Sequence, residues 1–524
     1  MRIKNSLNNM FFGLVGQIIS LVMGFIVRTI FIYKLGIEYL GIDGLFTSIL
    51  VMLSLANLGF DTTMIYSLYK PLAEKDYYKI QALMNLYKKA YSLIGLIVLI
   101  IGLMLFPFIP HLINGQTTIS NINIIYLMFL LNSVMSYYFV YKQSIIIADQ
   151  QNFIISKIHS LFTIILNFSV IFLLLITGNY LVILFTQISI RIIENIYIVN
   201  KANNLYPYIR EKNNAKLSDG DKKSFFGNLY AQMLYKISAI VIDGTDNIII
   251  SIFIGISSVG IYSNYLLIMG TIGTLISYIF YSITASVGNL VVEESNEKKY
   301  FIFRVINLAN FWIYGFISIS LLLLFNPFIT LWLGESFTFE QYIVMAIVLN
   351  FFTAGMQNAS TTYRETTGLF KIGKYRPIYA AVINIAVSVF LVQYMGVAGV
   401  LLGTVISRLC TYFWYDPYVI FKYIFQKSVK VYFLQYLFNV TTLIVSFILT
   451  SYLSNFITNG TYWNLVIQGL LCILIPNLLF YLIFRKTNEF QYLLTIFIMI
   501  FKKVISVKIL RKRKFTKKTQ KVQL

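Results

Sequence analysis

Residues 28–60 read RTIFIYKLGIEYLGIDGLFTSILVMLSLANLGF, two apolar runs joined by a short turn that contains the glycines of LGIEYLGI at 35–42. The pattern returns 219 residues later as IGISSVGI at 254–261, and the same offset carries Gly178 to within one residue of Gly396. Because three glycine-marked turns keep one register, the sequence predicts an internal repeat. Six helices per copy make the two copies parallel, as in transporters that are built from two rocking halves.

The composition indicates that lipid is the solvent for most of the chain. Of the 524 residues, 58% are hydrophobic and only 12% are charged, and the mean hydropathy is +0.75. Apolar runs of about twenty residues, long enough for a helix to cross a bilayer, recur along nearly the whole length. We therefore predict an all-α polytopic membrane protein with about 14 transmembrane helices, at 11–33, 44–66, 90–112, 122–141, 158–177, 181–200, 225–254, 261–288, 305–325, 341–362, 378–394, 399–421, 431–454 and 462–484.

The basic residues predict the orientation in the membrane. If the N-terminus is cytoplasmic, the inner segments hold 37 of the 42 Lys and Arg residues, and only Lys34 falls on the outer side. The positive-inside rule predicts this asymmetry, so we expect both termini to be cytoplasmic. The net charge of +22 then indicates anionic membrane lipids as partners, and nucleic acid is not expected to bind.

The repeat and the predicted helices divide the chain into five regions. Residues 201–224 are the longest polar stretch between spans and fall where the two copies meet, which indicates a cytoplasmic linker. The apolar segment 490–501 is too short to span, so it predicts an interfacial helix with a basic anchor behind it. The regions are an N-lobe of helices 1–6 at 1–200, the linker at 201–224, a C-lobe of helices 7–12 at 225–421, helices 13–14 at 422–484 and a cytoplasmic basic tail at 485–524.

Charged residues within the predicted helices are the candidate substrate-binding residues, because each costs roughly 2.5–3.5 kcal/mol near the bilayer centre. Arg28 is the best candidate for a phosphate-bearing substrate, since a guanidinium holds phosphate oxygens with two hydrogen bonds. A salt bridge from Arg28 to Asp61 or Asp246 is the alternative. Arg191 and Glu194 are interpreted as a simple ion pair. The predicted central-cavity set is Arg28, Asp61, Lys236, Asp243, Asp246, Asn247, Arg364 and Arg408.

Two relations within this set follow from helix and repeat geometry. Asn247 occupies in the second copy the position that Arg28 has in the first. Asp243 and Asp246 are three residues apart and share a helix face, with Lys236 seven residues before Asp243 on nearly the same stripe. Together these side chains could line one wall of a central cavity.

No catalytic or metal site is expected. GLFKIGK at 368–374 matches the first seven positions of a P-loop, but Tyr375 replaces the Ser or Thr that would hold magnesium. The two histidines and two cysteines have no metal-ligand partner at useful spacing. No outer segment exceeds about 15 residues, which is short for a folded catalytic loop. We therefore do not expect an enzyme, and the one cofactor left open is a coupling cation, H⁺ or Na⁺.

Four segments carry a family resemblance: 28–60, GNLVVEESNEKKYFIF at 288–303, YRETTGLFKIGKYRP at 363–377 and INIAVSVFLVQYMGVAGVLLGTVISR at 383–408. They resemble bacterial polysaccharide flippases, the Wzx-type branch of the multidrug/oligosaccharidyl-lipid/polysaccharide (MOP) exporter superfamily, and the likeness extends over about residues 1–485. The resemblance implies a MATE-like fold of two six-helix lobes around a central cavity, with two extra C-terminal helices.

The same resemblance implies alternating access that carries an undecaprenyl-diphosphate-linked oligosaccharide outward across a bacterial cytoplasmic membrane, for capsule, O-antigen or a related polymer. It also implies that cationic cavity residues meet the diphosphate, which matches Arg28 and also Lys236, Arg364 and Arg408. A polysaccharide polymerase and glycosyltransferases are candidate partners.

Other functions remain open alongside a polysaccharide flippase. Two belong to the same superfamily, a lipid II-type flippase and a cation-coupled multidrug exporter; a third is a non-transporting scaffold for a polysaccharide synthesis complex. Related drug exporters use acidic residues in the first and seventh helices for coupling, whereas here the seventh has Asp243 and Asp246 and the first offers only arginine. A drug exporter therefore predicts dye efflux that depends on one of these two carboxylates.

Overall fold

A computed structural model describes residues 2–54, 60–114, 119–210, 215–367, 369, 372–373, 375–457 and 461–499. Within those ranges the regular secondary structure is helical, and they contain no β-strand. The side chains of 2–11 and of several residues in the third, ninth and tenth helices lie outside the description. The basic tail beyond residue 499 lies outside it as well, so its anchoring role stays a prediction.

Seventeen α-helices follow one another within the described ranges. They are α1 (Arg2–Leu35), α2 (Ile37–Leu53), α3 (Phe60–Glu74), α4 (Tyr77–Leu105), α5 (Ile122–Val140), α6 (Gln143–Ala148), α7 (Asn152–Ile176), α8 (Tyr180–Leu205), α9 (Asp219–Phe253), α10 (Ile256–Glu293), α11 (Asn296–Leu333), α12 (Gln341–Gly355), α13 (Asn358–Thr366), α14 (Arg376–Ile420), α15 (Lys430–Ser454), α16 (Tyr462–Phe484) and α17 (488–499). Short 3-10 helices cover Phe106–Leu112, Pro207–Ile209 and Glu335–Phe337.

Local sequence explains where several of these helices begin and end. The Asp76 carboxylate accepts a hydrogen bond from the Lys79 amide at the start of α4, and the Ser218 hydroxyl does the same for the Asp221 amide at the start of α9. Such caps satisfy amides that have no partner in the first turn. The turns predicted from the repeat contain Gly36 with φ 89° and Gly255 with φ 132°, a backbone conformation that favours glycine.

Eleven helices in the described part are long and apolar enough to cross a membrane. One of them, Arg376–Phe425, covers both 378–394 and 399–421 and is broken at Gly396, where φ is 55°. The predicted span 44–66 is divided between α2 and α3, while 225–254 matches the continuous helix α9 up to its last residue, Phe253. The chain is thus an all-α multi-pass membrane protein, and the number 14 stays a prediction.

The chain divides into two compact units. Unit 1 comprises Met1–Gly273 and Lys374–Ser407, and unit 2 comprises Thr274–Gly373 and Arg408–Leu524. In unit 1, α7 packs between α1 and α8, α5 contacts α4 and α8, and α2 packs along α9. In unit 2, α11 packs against α12 and α16, and α15 packs against α16. The predicted lobe boundaries stay predictions.

Polar and aromatic side chains lie along the last two long helices of unit 2, α15 and α16. Trp312 on α11 donates a hydrogen bond of 2.7 Å to the side-chain oxygen of Asn477 on α16, and the rings of Phe311 and Phe480 lie 5.1 Å apart. Lipid offers no hydrophobic drive between helices, so close packing and hydrogen bonds hold them together. The buried polar stripe of α15 consists of Asn439, Thr442, Ser446, Thr450 and Ser454.

Candidate functional site

The two copies of the repeat meet where α2 and α10 begin. A Cβ atom added to Gly41 would overlap the backbone carbonyl of Ile256, and one added to Gly260 would overlap the backbone carbonyl of Ile37. Gly41 and Gly260 are repeat equivalents, as are Ile37 and Ile256, so the two contacts are the same contact formed twice. We call these four residues the glycine crossing, and only glycine allows the backbones to approach this closely.

The loop that follows α4 holds the adjacent end of α9. The Asn114 amide donates to the Ser251 carbonyl at 3.2 Å, and its side chain donates to the Phe253 carbonyl at 3.2 Å. In return, the Ser251 hydroxyl donates to the Leu112 carbonyl at 2.6 Å. The turn between α9 and α10 is therefore fixed on two sides, by the glycine crossing and by this loop.

Arg28, the leading candidate from the sequence, lies half-buried on α1 and reaches α10. Its Nε donates a hydrogen bond of 3.1 Å to the side-chain oxygen of Asn264. Within the described residues Arg28 forms no ion pair, although the carboxylate of Asp43 on α2 is close enough to act on it electrostatically. The Asp43 carboxylate accepts a 3.1 Å hydrogen bond from the Tyr180 hydroxyl. A neutral amide, not a carboxylate, is thus the direct partner of Arg28.

Asn247 mirrors this arrangement from the second copy. Its side-chain nitrogen donates a 2.9 Å hydrogen bond to the Ser48 hydroxyl on α2. The first helix of each copy therefore bonds to the second helix of the other copy, from α1 to α10 and from α9 to α2. The buried atoms Asn247 Oδ1 and Asn264 Nδ2 have no hydrogen-bond partner within the described residues, which leaves hydrogen-bonding capacity at both crossings.

Asp246 lies nearly fully buried among neutral polar groups of α9 and α14. The Thr404 hydroxyl donates to the Asp246 carboxylate at 3.1 Å and accepts from the Asn384 amide at 2.8 Å. The Thr245 hydroxyl donates to the Asn384 oxygen at 3.1 Å. Carboxylate, amide and hydroxyl oxygens are the groups that hold a proton or a hard cation. The described residues contain no cluster of three His, Cys, Asp or Glu side chains.

Two other predicted residues, Arg364 and Arg408, lie in unit 2 and have partners there. Arg364 in unit 2 forms an ion pair with Asp416, both side chains being at most 3% exposed, and donates to the carbonyls of Leu369 and Ile372. Arg408, also in unit 2, donates to the backbone and side-chain oxygens of Asn350. The side chains of the three other predicted residues lie outside the description: Asp61, Lys236 and Asp243. One shared cavity for the whole set stays a prediction.

The interpretation of Arg191 and Glu194 as a pair is confirmed by a distance of 3.2 Å. His159, dismissed as a metal ligand, also contacts Glu194, with 2.8 Å between Nδ1 and the carboxylate. No feature of the sequence points to Asn264 or Thr404, because neutral polar residues in apolar helices are too common to stand out. Asp43, within the segment quoted at the outset, and Asp416, the partner of Arg364, are charged residues that the predicted set did not include.

Several solved structures share the fold, although no protein-family model and no curated protein matches the sequence. The lipid II flippase MurJ in an inward closed conformation matches with a TM-score of 0.60 and 16% identity, over 92% of this chain and 99% of that one. An inward-facing multidrug resistance MATE family transporter of the MOP superfamily gives 0.56 and 13%, over 76% and 94%. The Vibrio cholerae MATE transporter VcmN gives 0.55 and 11%, over 81% and 99%. The chain therefore has the fold of MOP-superfamily transporters and flippases.

Proposed function

We propose that this protein flips an undecaprenyl-diphosphate-linked oligosaccharide from the inner to the outer leaflet of a bacterial cytoplasmic membrane. The observation that carries the proposal is the environment of Arg28. Its guanidinium lies within a membrane helix, its direct partner is the neutral Asn264, and no ion pair neutralises it within the described residues. Placing a charged side chain within the membrane costs free energy, and an anionic ligand would offset that cost. A diphosphate offers the oxygens that a guanidinium binds best.

The crossings supply a way to couple binding with movement. Asn264 lies four residues after Gly260, about one helical turn, so the hydrogen bond from Arg28 and the glycine crossing are held by the same part of α10. A diphosphate that takes the donors of Arg28 releases Asn264 and weakens this closed end. The ligand thereby favours the state in which α2 and α10 separate, as differential binding between two states requires.

Asp246 is the proposed coupling site. It is buried beside the hydroxyl of Thr404, which is itself hydrogen-bonded to Asn384. On α9 it lies five residues, about one and a half helical turns, before Ser251. Protonation or binding of Na⁺ removes the charge and changes the stability of this buried network. Transport measured under an imposed H⁺ gradient and under an imposed Na⁺ gradient would identify the coupling ion.

The test is to deplete the protein in its native host and to measure lipid-linked oligosaccharide in each leaflet. Depletion should cause accumulation on the cytoplasmic side. Arg28→Ala should fail to relieve it, and Arg28→Lys should restore transport in part, because the charge is kept and the two-point geometry is lost. Arg304→Ala is the matched control, since Arg304 pairs with Glu489 at 3.0 Å. Unchanged lipid-linked pools on depletion would contradict the proposal.

The same variants separate the alternatives. A lipid II-type flippase would cause lipid II, not a surface-polymer precursor, to accumulate on depletion. A multidrug exporter predicts dye efflux that is lost in Asp246→Asn. A scaffold predicts that Arg28→Ala supports normal polymer output while loss of the chain abolishes it.

A further inference from the structure

Three basic side chains converge at the end of unit 1 that holds the basic loops. They are Lys88 on α4, Lys142 between α5 and α6, and Arg210 after the 3-10 helix Pro207–Ile209. The Lys142 ammonium donates a 2.5 Å hydrogen bond to the side-chain oxygen of Asn203, near the end of α8. Partial burial, and then the charges of Lys88 and Arg210, lower the pKa of Lys142 below its ordinary value.

The predicted linker is bound along the face of α4 that contains Lys88. Gln81 donates to the Tyr208 carbonyl at 2.7 Å, and Asn85 donates to the Ala215 carbonyl at 3.3 Å. Residues 81, 85 and 88 are spaced by four and three and so share one helix face. Since Arg210 lies between these two attachment points on the linker, it is held beside α4 and not left free to move away from the other two cations.

The three cations have no carboxylate within 4 Å among the residues that the structure describes. No ion pair there neutralises the cluster. Asp149, on the neighbouring loop, accepts hydrogen bonds from Gln151 and from the Tyr206 hydroxyl. Three like charges that hydrogen bonds of their segments keep near one another favour the binding of an anion, because an anion relieves their mutual repulsion.

The depth of the cluster indicates what kind of anion it meets. Lys142 follows the end of the candidate span Ile122–Val140 by two residues, and Asn203 lies two residues before the end of Tyr180–Leu205. The ends of membrane helices lie among lipid headgroups, where basic side chains meet lipid phosphates. We propose that Lys88, Lys142 and Arg210, with Asn203 positioning Lys142, form a binding site for the phosphate group of a lipid. The site goes beyond the proposed function, since it requires no particular transported sugar.

The experiment is a titration of the purified full-length protein in detergent, with bound lipid counted by native mass spectrometry. The probes are undecaprenyl diphosphate, phosphatidylglycerol and phosphatidylcholine, and inorganic pyrophosphate serves as the soluble competitor. The test variant is Lys88→Gln/Lys142→Gln/Arg210→Gln, in which glutamine keeps a donor for Asn203. The control is Lys422→Gln/Lys427→Gln/Lys430→Gln, which removes the same charge from the turn between α14 and α15 and the helix ends beside it, on the predicted inner side.

The test variant should bind at least one of the two anionic lipids about tenfold more weakly, since each Lys or Arg near an anionic surface changes affinity several-fold. The control should bind as the wild type does. Equal binding by wild type and test variant, or an equal loss in the control, overturns the site. Competition by pyrophosphate at the concentration of the lipid assigns the cluster to soluble anions and overturns the lipid assignment. If the triple variant does not fold, Lys88→Gln/Arg210→Gln changes only exposed residues and gives the same reading.

Arg28→Ala separates this inference from the proposed function. In an Arg28→Ala background, the three Gln substitutions should weaken lipid binding as much as they do in the wild type. Arg28 lies within the membrane span, whereas the cluster lies at its edge. Loss of that weakening in the Arg28→Ala background would mean that the titration reports the transport site, and the separate lipid site would be wrong. Failure of Arg28→Ala to affect flipping leaves the binding result as it stands.

Discussion

Residues of one type have different roles in this protein because their partners differ. Arg28 donates to a neutral amide and is half-buried, whereas Arg364 is at most 3% exposed and pairs with Asp416. A buried pair satisfies both of its charges, and a guanidinium whose partner is an amide keeps its charge available. The sequence predicts diphosphate binding for both arginines. In the structure they differ in their partners, an amide for Arg28 and a carboxylate for Arg364.

Loss of Arg364 from its buried pair with Asp416 should lower the stability of the fold more than it lowers lipid binding. Arg364→Ala leaves Asp416 buried without its cation, and breaking such a pair costs about 3–5 kcal/mol. We expect a clear fall in the thermal unfolding midpoint of the detergent-purified protein. Arg304→Ala, at a pair with one side chain 44% exposed, should change it little. A stable Arg364→Ala protein that has lost lipid binding would instead support a substrate role.

The ion pair between Lys79 and Asp221 predicts a pH dependence. Hydrogen bonds from Lys79 and then Ser218 lower the pKa of Asp221 below its ordinary value of 3.8. A carboxylate whose folded pKa is depressed stabilises the fold above the unfolded pKa and loses that contribution as the pH falls through the folded value. The coupling between Lys79→Gln and Asp221→Asn should be about 0.2–1 kcal/mol at neutral pH, as for exposed pairs.

Thermal unfolding of the wild type, the two single variants and the double variant measures this coupling. It should be constant from pH 7 to about pH 4 and should vanish below the lowered pKa of Asp221. A coupling of the same size at the lowest pH would show that the two side chains interact by packing and not by charge.

At the scale of elements, the glycine crossing is where two helices depend on the absence of side chains. The α2 and α10 backbones approach so closely at Gly41 and Gly260 that an added methyl group would overlap a carbonyl oxygen. The repeat makes both contacts equivalent, and the crossed hydrogen bonds from Arg28 and Asn247 use the same two helices. The proposed substrate binding and the proposed closure of this end would therefore both involve α2 and α10.

Gly41→Ala and Gly260→Ala should each prevent full closure of the crossing. Overpacking of this kind costs about 1–3 kcal/mol, so the ratio of closed to open protein should fall by roughly fivefold or more. The readout is the rate of flipping in reconstituted vesicles, together with the thermal midpoint. Gly24→Ala is the control, because no atom lies within 4 Å of its added Cβ. Normal flipping by both crossing variants would contradict a role in closure.

At the scale of the whole molecule, the eleven candidate spans and the match to transporter structures make this a multi-pass membrane protein with the MOP fold. The positions of the basic loops predict which side faces the cytoplasm. Lys142 and Arg210 of the proposed lipid site lie in these loops, and Lys88 lies on α4. The predicted topology and the proposed lipid site thus rest on one charge distribution.

Accessibility to a membrane-impermeant thiol reagent tests the orientation. In a background of Cys410→Ala and Cys472→Ala, Ser336→Cys in the 3-10 helix Glu335–Phe337 should be labelled in intact spheroplasts. Ser428→Cys, which is exposed in the loop before α15, should be labelled only after permeabilisation. Both substitutions exchange oxygen for sulfur, so little else changes. The reverse pattern would mean that the predicted orientation is wrong.

What the sequence determined by itself is set by chemistry that acts locally along the chain. Apolar runs of membrane length, basic loops and glycines at Gly36 and Gly255 were enough for the all-α class and the parallel repeat, since hydropathy and positive φ are local properties. Arg28 and Asn247 emerged as equivalents because the repeat preserves register. Their positions in α1 and α9 follow directly from that register.

What only the tertiary structure decided is which neutral groups meet the charges. Asn264 is 236 residues from Arg28, and Thr404 is 158 residues from Asp246, so no local pattern could pair them. The glycine crossing likewise depends on two helices packing backbone against backbone. A hydrogen bond requires two groups to lie about 3 Å apart in space, whatever their separation along the chain. The fold, and not the order of residues, therefore selects the partners.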